Sequence, residues 1–159
     1  MKEKIPITKQ GFEKLQEVLK HLKSVERKKA SELVGEAASH GDLTENAEYD
    51  AAKEHQARIE HRIISLEDRL ARAEVIDVSS LSGDRVVFGA KVFLEDLDTG
   101  DELIYTIVGE DETDVSNNRI SIKSPIARAL IGKNVDEEIA VAVPSGKRRF
   151  LILDIKFGE

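Results

Sequence analysis

Two stretches of about 30 residues each carry apolar side chains three and four positions apart, the spacing of one face of an α-helix. The first runs from residue 8 to about residue 40, and Thr8 is its candidate N-cap. The second runs from about Thr44 to Ala73, after a break at Gly41. Two such helices with a short joint are expected to form an antiparallel hairpin, a rod of roughly 45 Å. Its seam residues are Phe12, Leu15, Leu19, Leu22, Leu33, Val34 and Ala37 in the first helix, and Ala52, Ile59, Ile63, Leu66, Leu70 and Ala73 in the second.

The seam of the first helix is interrupted. Glu26 and Lys29 occupy the two seam positions that follow Leu22, so the outer half of the hairpin is expected to pack more loosely. Because the apolar residues line a single seam, the opposite faces of both helices lie in water or against another molecule. A solvated coiled coil that only connects two parts of a protein is the simplest alternative.

A second domain is expected after the hairpin, because short β-rich runs replace the helical spacing from Val75 onward. The predicted boundary lies near residues 74–80 and divides the chain into domains 1–77 and 78–159. One helix on a mostly antiparallel sheet of four to five strands would make this domain α+β. The predicted strands cover residues 86–94, 103–108, 120–123, 137–143 and 149–156, and the predicted helix covers residues 124–132.

The composition excludes several classes of function. Lys and Arg total 24 and Asp and Glu total 31, and this net charge of -7 argues against binding duplex nucleic acid by overall charge. Without cysteine, the chain has no disulfide and no thiolate metal site. No signal peptide and no run near the roughly 18 apolar residues of a membrane span is present, so a cytoplasmic protein without a membrane partner is expected. The four histidines form no His-Glu-x-x-His pattern and are expected to be solvated.

The joint between the two helices is rich in carboxylates. Between Glu36 and Glu54 there are six acidic residues and one lysine, Lys53. Asp42 and Glu45 stand three residues apart, and two readings of this pair are open. Either Asp42 or Thr44 caps the second helix with Glu45 in its first turn, or the two acids share a divalent cation.

The excess of acids favours a cation or a basic partner at the tip, since capping needs one or two carboxylates and the others repel one another. Mg²⁺ prefers six oxygen ligands and takes several of them from water, phosphate or a second protein. Two carboxylates at the end of a long rod therefore suit half of a metal site that a partner completes. Such a half-site fits two-metal phosphoryl chemistry.

The motifs along the chain resemble those of the bacterial Gre transcript cleavage factors. Residues 41–49, Gly-Asp-Leu-Thr-Glu-Asn-Ala-Glu-Tyr, are similar to the tip of that family. Ile7-Thr8 with residues 11–15 resembles its opening, residues 75–77 its interdomain junction, and residues 124–133 its second signature. The resemblance covers nearly the whole chain, and the acidic net charge is closer to the GreA branch than to the more basic GreB branch.

The resemblance implies a coiled coil that enters the secondary channel of bacterial RNA polymerase and an FKBP-like domain that docks outside. Asp42 and Glu45 would help to hold the second Mg²⁺ of the polymerase site, with no metal tightly bound to the free protein. The polymerase itself, rather than this chain, would then cleave the backtracked RNA. Residues with supporting roles at the tip would be Asn46, Glu48 and Tyr49.

The resemblance also implies roles for two further sets of residues. Lys53 and Arg58 are the basic residues nearest the tip and would lie near the RNA 3′ end; otherwise they are ordinary solvated charges. Ser124, Pro125 and Ile126 would dock on the polymerase rim; otherwise they only start a helix. The chain is expected to act as a monomer.

Two other functions compete with cleavage stimulation. A Gre-like protein that occupies the channel and inhibits the polymerase is disfavoured by the presence of both Asp42 and Glu45. A prolyl isomerase of the FKBP kind needs a pocket lined by aromatic residues. This chain has five Phe, two Tyr and no Trp, so it supplies such a pocket poorly, and this function is disfavoured.

Overall fold

The computed structural model describes residues 3–40, 46–78 and 83–158. The chain divides into two compact units, one of residues 1–3 and 12–73 and the other of residues 4–11 and 74–159. The segment that starts the first helix therefore belongs to the second unit. The predicted division into 1–77 and 78–159 stays a prediction. No helix in the described part of the chain is long and apolar enough to cross a membrane.

The first unit is helical. Helix α1 (Lys9–His21), a π-helical turn (Leu22–Glu26) and helix α2 (Arg27–Ala38) follow one another directly, and helix α3 (Ala47–Ala71) comes after the joint. The helices carry polar and charged residues outside their seam, as expected for a hairpin with one apolar face.

Ion pairs across the hairpin show the direction of its helices. Lys23 Nζ lies 3.4 Å from a carboxylate oxygen of Glu67. The guanidinium of Arg27 donates two hydrogen bonds to the Glu60 carboxylate, at 2.8 and 3.0 Å. As the residue number rises along the first arm, the partner's number falls along α3. The predicted antiparallel helical hairpin is therefore confirmed.

The π-helical turn shifts the seam of the hairpin by one residue. In a regular heptad, Lys29 would follow Leu22 on the seam. The turn accommodates one extra residue, and Ala30 takes the position instead, with 0% of its surface exposed. One turn further on, Val34 is half-buried whereas Leu33 is 48% exposed. The prediction that Leu33 packs in the seam is wrong, because the inserted residue rotates it away from α3.

The second unit contains two sheets. In the smaller one, β1 (Ile5–Thr8) pairs with β2 (Ala73–Ile76). The larger sheet has the strand order β5-β4-β3-β7-β6, with β4 and β5 parallel and the other pairs antiparallel. The predicted α+β class, a helical hairpin followed by a mostly antiparallel sheet with a helix, is confirmed. The remaining elements are β3 (Lys91–Asp96), β4 (Glu102–Val108), β5 (Arg119–Ser121), α4 (Pro125–Leu130), β6 (Glu138–Val143) and β7 (Gly146–Lys156).

The larger sheet buries one of its faces. Along β3, Val92 and Leu94 are fully buried, whereas Lys91 and Phe93 alternate with them on the other face. Phe150 of β7 is also fully buried in this core. Two core residues on the inner side of α4, Ala127 and Leu130, are buried with them.

A buried carboxylate joins the start of α1 to the rest of the second unit. Glu112 accepts hydrogen bonds from the backbone amides of Thr8, at 3.1 Å, and Gly109, at 3.0 Å, and also from the Thr8 hydroxyl. The Thr8 hydroxyl in turn accepts from the Gly11 amide at 3.0 Å, which confirms Thr8 as the N-cap of α1. A side chain at Gly11 would collide with the Glu112 carboxylate, so this position requires glycine.

Asp96 ends β3 with a nearly buried carboxylate, 4% exposed. Its Oδ1 accepts from the backbone amides of Asp98 and Thr99 at 2.9 and 3.2 Å, and Arg148 donates to Oδ2 at 3.1 Å. The amide of Asp98 first, and then the Arg148 guanidinium, hold the pKa of the Asp96 carboxyl below its usual value.

This lowered pKa predicts a pH-dependent stability. Since the carboxyl binds its proton more weakly in the folded state, its stabilising effect is fully present above the unfolded pKa of about 3.9 and is lost as the pH falls through the folded pKa. The free energy of unfolding of Asp96→Asn should therefore fall below that of the wild type at neutral pH, and the two should converge in acid. Urea unfolding at a series of pH values measures this difference. A difference that stays constant from neutral pH to acid would contradict the account.

Candidate functional site

The side chain of Asn46 links the two described helix ends of the hairpin. Its Oδ1 accepts a hydrogen bond from the backbone amide of Tyr49 at 3.0 Å, which caps the start of α3. Its Nδ2 donates to the carbonyl of Ala37 at 2.7 Å, in the last turn of α2. One amide group therefore satisfies a backbone donor of one helix and a backbone acceptor of the other, and ties the two helix ends together.

The position of this cap corrects two expectations. Asn46 has an extended backbone, with φ -90° and ψ 94°, and α3 begins at the next residue. The predicted helix start near Thr44 is replaced by Ala47, and the described N-cap of α3 is Asn46 rather than Asp42 or Thr44. Asp42, Thr44 and Glu45 themselves lie outside the described residues. Asparagine is itself a favoured N-cap residue, but Asp and Thr are favoured as well, so the sequence alone does not distinguish Asn46 from its neighbours as the N-cap.

The acidic pair lies between the two described helix ends. Asp42 and Glu45 fall outside the described residues, and their metal-binding role stays a prediction. Within residues 3–40, 46–78 and 83–158, no group of three or more His, Asp or Glu side chains is placed to hold a metal ion. Acidic residues near the joint in the described part are Glu36, Glu48, Asp50 and Glu54.

Two of the predicted supporting residues have distinct surroundings. The Glu48 side chain is 75% exposed, and one of its carboxylate oxygens lies 3.2 Å from Nδ1 of His40. Tyr49 is half-buried. With the capping residue Asn46, they form the first turn of α3 and its cap, so the structure brings these three predicted residues together at the hairpin end.

A shallow groove of about 410 Å³ lies between the two helices near this end. Leu33, which the shifted seam leaves exposed, lines it together with Ala37, Ala52 and His55. The spacing of apolar residues does not predict this groove, because the groove depends on the one-residue shift in the first arm.

The two basic residues predicted near the RNA lie further along α3. Lys53 and Arg58 are both exposed. They are five positions apart, which places their side chains about 140° apart around the helix axis. The structure therefore puts both on the surface, on different faces of α3.

The three predicted docking residues start helix α4 in the second unit. The Ser124 hydroxyl accepts from the backbone amide of Ala127 at 3.2 Å, and Pro125 occupies the first turn. Ser124 and Ile126 are half-buried, whereas Pro125 is exposed. Ser124 thus has a structural role as a cap, and Pro125 presents its ring to solvent.

Removal of the Asn46 side chain is expected to destabilise the hairpin end. Asn46→Ala loses the cap and the hydrogen bond to the Ala37 carbonyl, which keeps the His40 amide as a donor at 3.3 Å, so the free energy of unfolding should fall by about 1–2 kcal/mol. Asn46→Ser keeps an acceptor for the Tyr49 amide and should cost less. Urea unfolding followed by far-UV circular dichroism checks the ranking. Equal stability of Asn46→Ala and the wild type would show that the two hydrogen bonds contribute nothing.

Comparison with known proteins gives matches along nearly the whole chain. A family model described as "Transcription elongation factor, N-terminal" matches residues 5–75, and one described as "Transcription elongation factor, GreA/GreB, C-term" matches residues 81–157.

Curated proteins and solved structures match as well. The chain is 55% identical over 159 residues to transcription elongation factor GreA of Rickettsia felis, covering 100% of this chain and 98% of that protein. It is 56% identical over 155 residues to GreA of Hyphomonas neptunium, covering 98% and 99%. The crystal structure of GreA factor homolog 1 (Gfh1) of Thermus thermophilus is 33% identical, covers 97% of this chain and 99% of that one, and has a TM-score of 0.45. By the family models and the curated relatives, the chain belongs to the GreA/GreB family of transcription elongation factors.

Proposed function

We propose that this protein stimulates the cleavage of backtracked nascent RNA by bacterial RNA polymerase, with its helical hairpin inserted through the secondary channel. The polymerase carries out the cleavage, and this chain is a factor rather than an enzyme. Cleavage leaves a new RNA 3′ end in register for extension and so rescues arrested complexes. The protein acts in the cytoplasm as a monomer, with RNA polymerase and the nascent RNA 3′ end as partners.

One observation carries this proposal, the location of the acidic pair. Asp42 and Glu45 lie in the joint between the end of α2 at Ala38 and the N-cap of α3 at Asn46. Within the described residues, Asn46 caps the start of α3 by accepting a hydrogen bond from the Tyr49 amide. Two carboxylates in the joint of a long hairpin are suited to binding a cation on another molecule.

The chemistry of the pair fits Mg²⁺. Carboxylate oxygens are the hard ligands that this ion prefers, and two of them supply part of an octahedral shell. Asp42 and Glu45 would hold the ion jointly with the polymerase, and the free protein would bind it weakly. The bound ion would stabilise the charge of an in-line displacement at phosphorus. The role of this protein would be to bring two carboxylates to the active site of the polymerase and to orient them there.

The other predicted residues have supporting tasks in this proposal. Asn46 links the described helix ends, and Glu48 and Tyr49 would help to shape the tip. Lys53 and Arg58 would lie near the RNA. In the second unit, Ser124 shapes the start of α4, and the exposed Pro125 with the half-buried Ile126 would dock on the polymerase rim.

The experiment uses backtracked elongation complexes of bacterial RNA polymerase with RNA labelled at its 3′ end. In the presence of Mg²⁺, the wild-type protein should release short labelled fragments faster than the polymerase alone. The same labelled RNA mixed with the protein without polymerase should stay intact. If the protein binds the polymerase and slows elongation but does not speed the release of fragments, it is a channel-binding inhibitor and does not stimulate cleavage. Cleavage without polymerase would show that the chain is an enzyme.

A further inference from the structure

The second unit contains a cavity of about 510 Å³ that the proposed function does not use. It lies between the start of α1, the segment after β2 and the open face of the larger sheet, and all its described lining residues belong to this one unit. Its charged lining residues are Lys9, Lys91, Arg119 and Asp77. The volume falls within the range of about 300–1,000 Å³ that is typical of small-molecule sites.

The register of the sheet explains why basic residues meet at this cavity. Thr106 of β4 pairs with Arg119 of β5 on one side and with Lys91 of β3 on the other, and Lys91 pairs with Lys156 of β7. Residues that are direct partners point to the same face of a sheet. Because neighbouring strands lie about 4.8 Å apart, these three basic residues form a row about 15 Å long across the open face.

These cations are poorly matched by acidic partners in the described part of the chain. Lys9, Lys91 and Lys156 form no ion pair with a described residue. The ammonium groups of Lys91 and Lys156 lie 6.0 and 5.2 Å from the centre of the Phe93 ring. Lys9 on α1 and the row on the sheet thus place four basic groups in this unit of a chain whose net charge is -7. Arg119 is paired with Glu112, and Asp154 lies on the same sheet face as the row, opposite Phe93.

Arg119 is also short of hydrogen-bond partners. Its Nη2 lies 3.6 Å from a carboxylate oxygen of Glu112, beyond hydrogen-bond distance. Its buried Nε has no hydrogen-bond partner among the described residues. Glu112 meanwhile accepts hydrogen bonds from Thr8 and Gly109, so its charge is shared with those donors. The Arg119 side chain is 37% exposed and lines the cavity, and a guanidinium is suited to a planar or tetrahedral oxyanion.

We propose that this cavity binds the di- or triphosphate group of a ligand of nucleotide size. Lys9 and Lys91 approach it from two different elements, and Arg119 supplies a directional donor group. Asp77 also lines the cavity, so one acidic side chain faces the three basic ones. Binding here concerns the second unit alone and does not depend on the proposed activity at the hairpin tip.

Isothermal titration calorimetry of the full chain tests this proposal, with ATP, inorganic pyrophosphate and adenosine as probes in buffer free of divalent cations. ATP and pyrophosphate should each bind with one site per chain, and adenosine should not bind. Binding should weaken as NaCl is raised, because the contacts are ionic and partly exposed. No binding of ATP or pyrophosphate at millimolar concentrations would overturn the proposal, as would equal binding of ATP and adenosine.

Charge reversals locate the site. Lys91→Glu and Lys9→Glu should each weaken the binding of ATP about tenfold or more, since each turns an attraction into a repulsion. The matched control is Lys147→Glu, an exposed lysine of β7 that does not line the cavity, and it should change the affinity less than twofold. Circular dichroism melts of all three variants verify that they fold. An equal loss of affinity in Lys147→Glu would mean that the anion is held by overall charge, and the cavity assignment would be wrong.

Discussion

Replacing Asp42 by Asn, or Glu45 by Gln, is expected to slow factor-dependent cleavage of backtracked RNA by about three orders of magnitude. Each change removes one anionic ligand from an ion that stabilises the transition state, a loss of several kcal/mol of barrier lowering. The measurement is the rate of release of 3′-labelled fragments at a saturating concentration of factor. Because the N-cap of α3 is Asn46, both variants should keep the wild-type unfolding midpoint in urea.

Asp50→Asn is the matched control for this prediction. Asp50 is an exposed acid in the first turn of α3, close to the joint in sequence, and it has no place in the proposed metal site. The variant removes the same charge from the same end of the hairpin and should cleave at nearly the wild-type rate. If it lost as much activity as Asp42→Asn, general negative charge would matter at the tip rather than two specific ligands. If both Asp42→Asn and Glu45→Gln support RNA cleavage at the wild-type rate, the metal-delivery mechanism is wrong.

The second large effect concerns the seam of the hairpin. Ile63 is 1% exposed and packs with Leu22, Ala30 and Ile59 in the core of the first unit. Ile63→Ala removes three buried carbon atoms and leaves a cavity, so the free energy of unfolding should fall by about 2–5 kcal/mol. Urea unfolding followed at 222 nm by circular dichroism measures the loss.

The neighbouring residue provides the control. Ile64 is 65% exposed and carries the same side chain on the same helix. Ile64→Ala should change the free energy of unfolding by less than about 0.5 kcal/mol. Equal losses in the two variants would mean that the hairpin has no preferred seam. A larger loss in Asp42→Asn than in Ile63→Ala would mean that the tip acids serve the fold after all.

The hairpin and the sheet domain were predictable because their signals are local. Apolar residues three and four apart mark a helical face, and the short β-rich runs that contain β3 and β4 mark strands. The same kind of signal places Ser124 before α4 and Thr8 before α1, and the structure confirms both caps. The acidic pair could be located at the joint from the sequence alone, since the joint follows from the helices on either side.

Two predictions, the seam position of Leu33 and the N-cap of α3, are wrong because they depend on features that no local pattern specifies. Leu33 was placed in the seam because a regular helix repeats every 3.6 residues, but the π-helical turn adds a residue upstream of it. Three residues near the joint, Asp42, Thr44 and Asn46, all have good capping chemistry. Asn46 takes the role in a structure where its amide also reaches the Ala37 carbonyl on the other arm, a contact that no local pattern specifies.

The helical hairpin with two acids at its joint, and the sheet domain after it, can be predicted from the order of the residues, because helix and strand periodicities are properties of neighbouring residues. Which residues face one another across strands follows from the folded chain. Arg119 lies 28 residues after Lys91 in the chain, and the register of three strands brings them to one row beside one cavity. Because strand register depends on long-range packing, the basic cavity could not be predicted from the sequence pattern and is visible only in the folded structure.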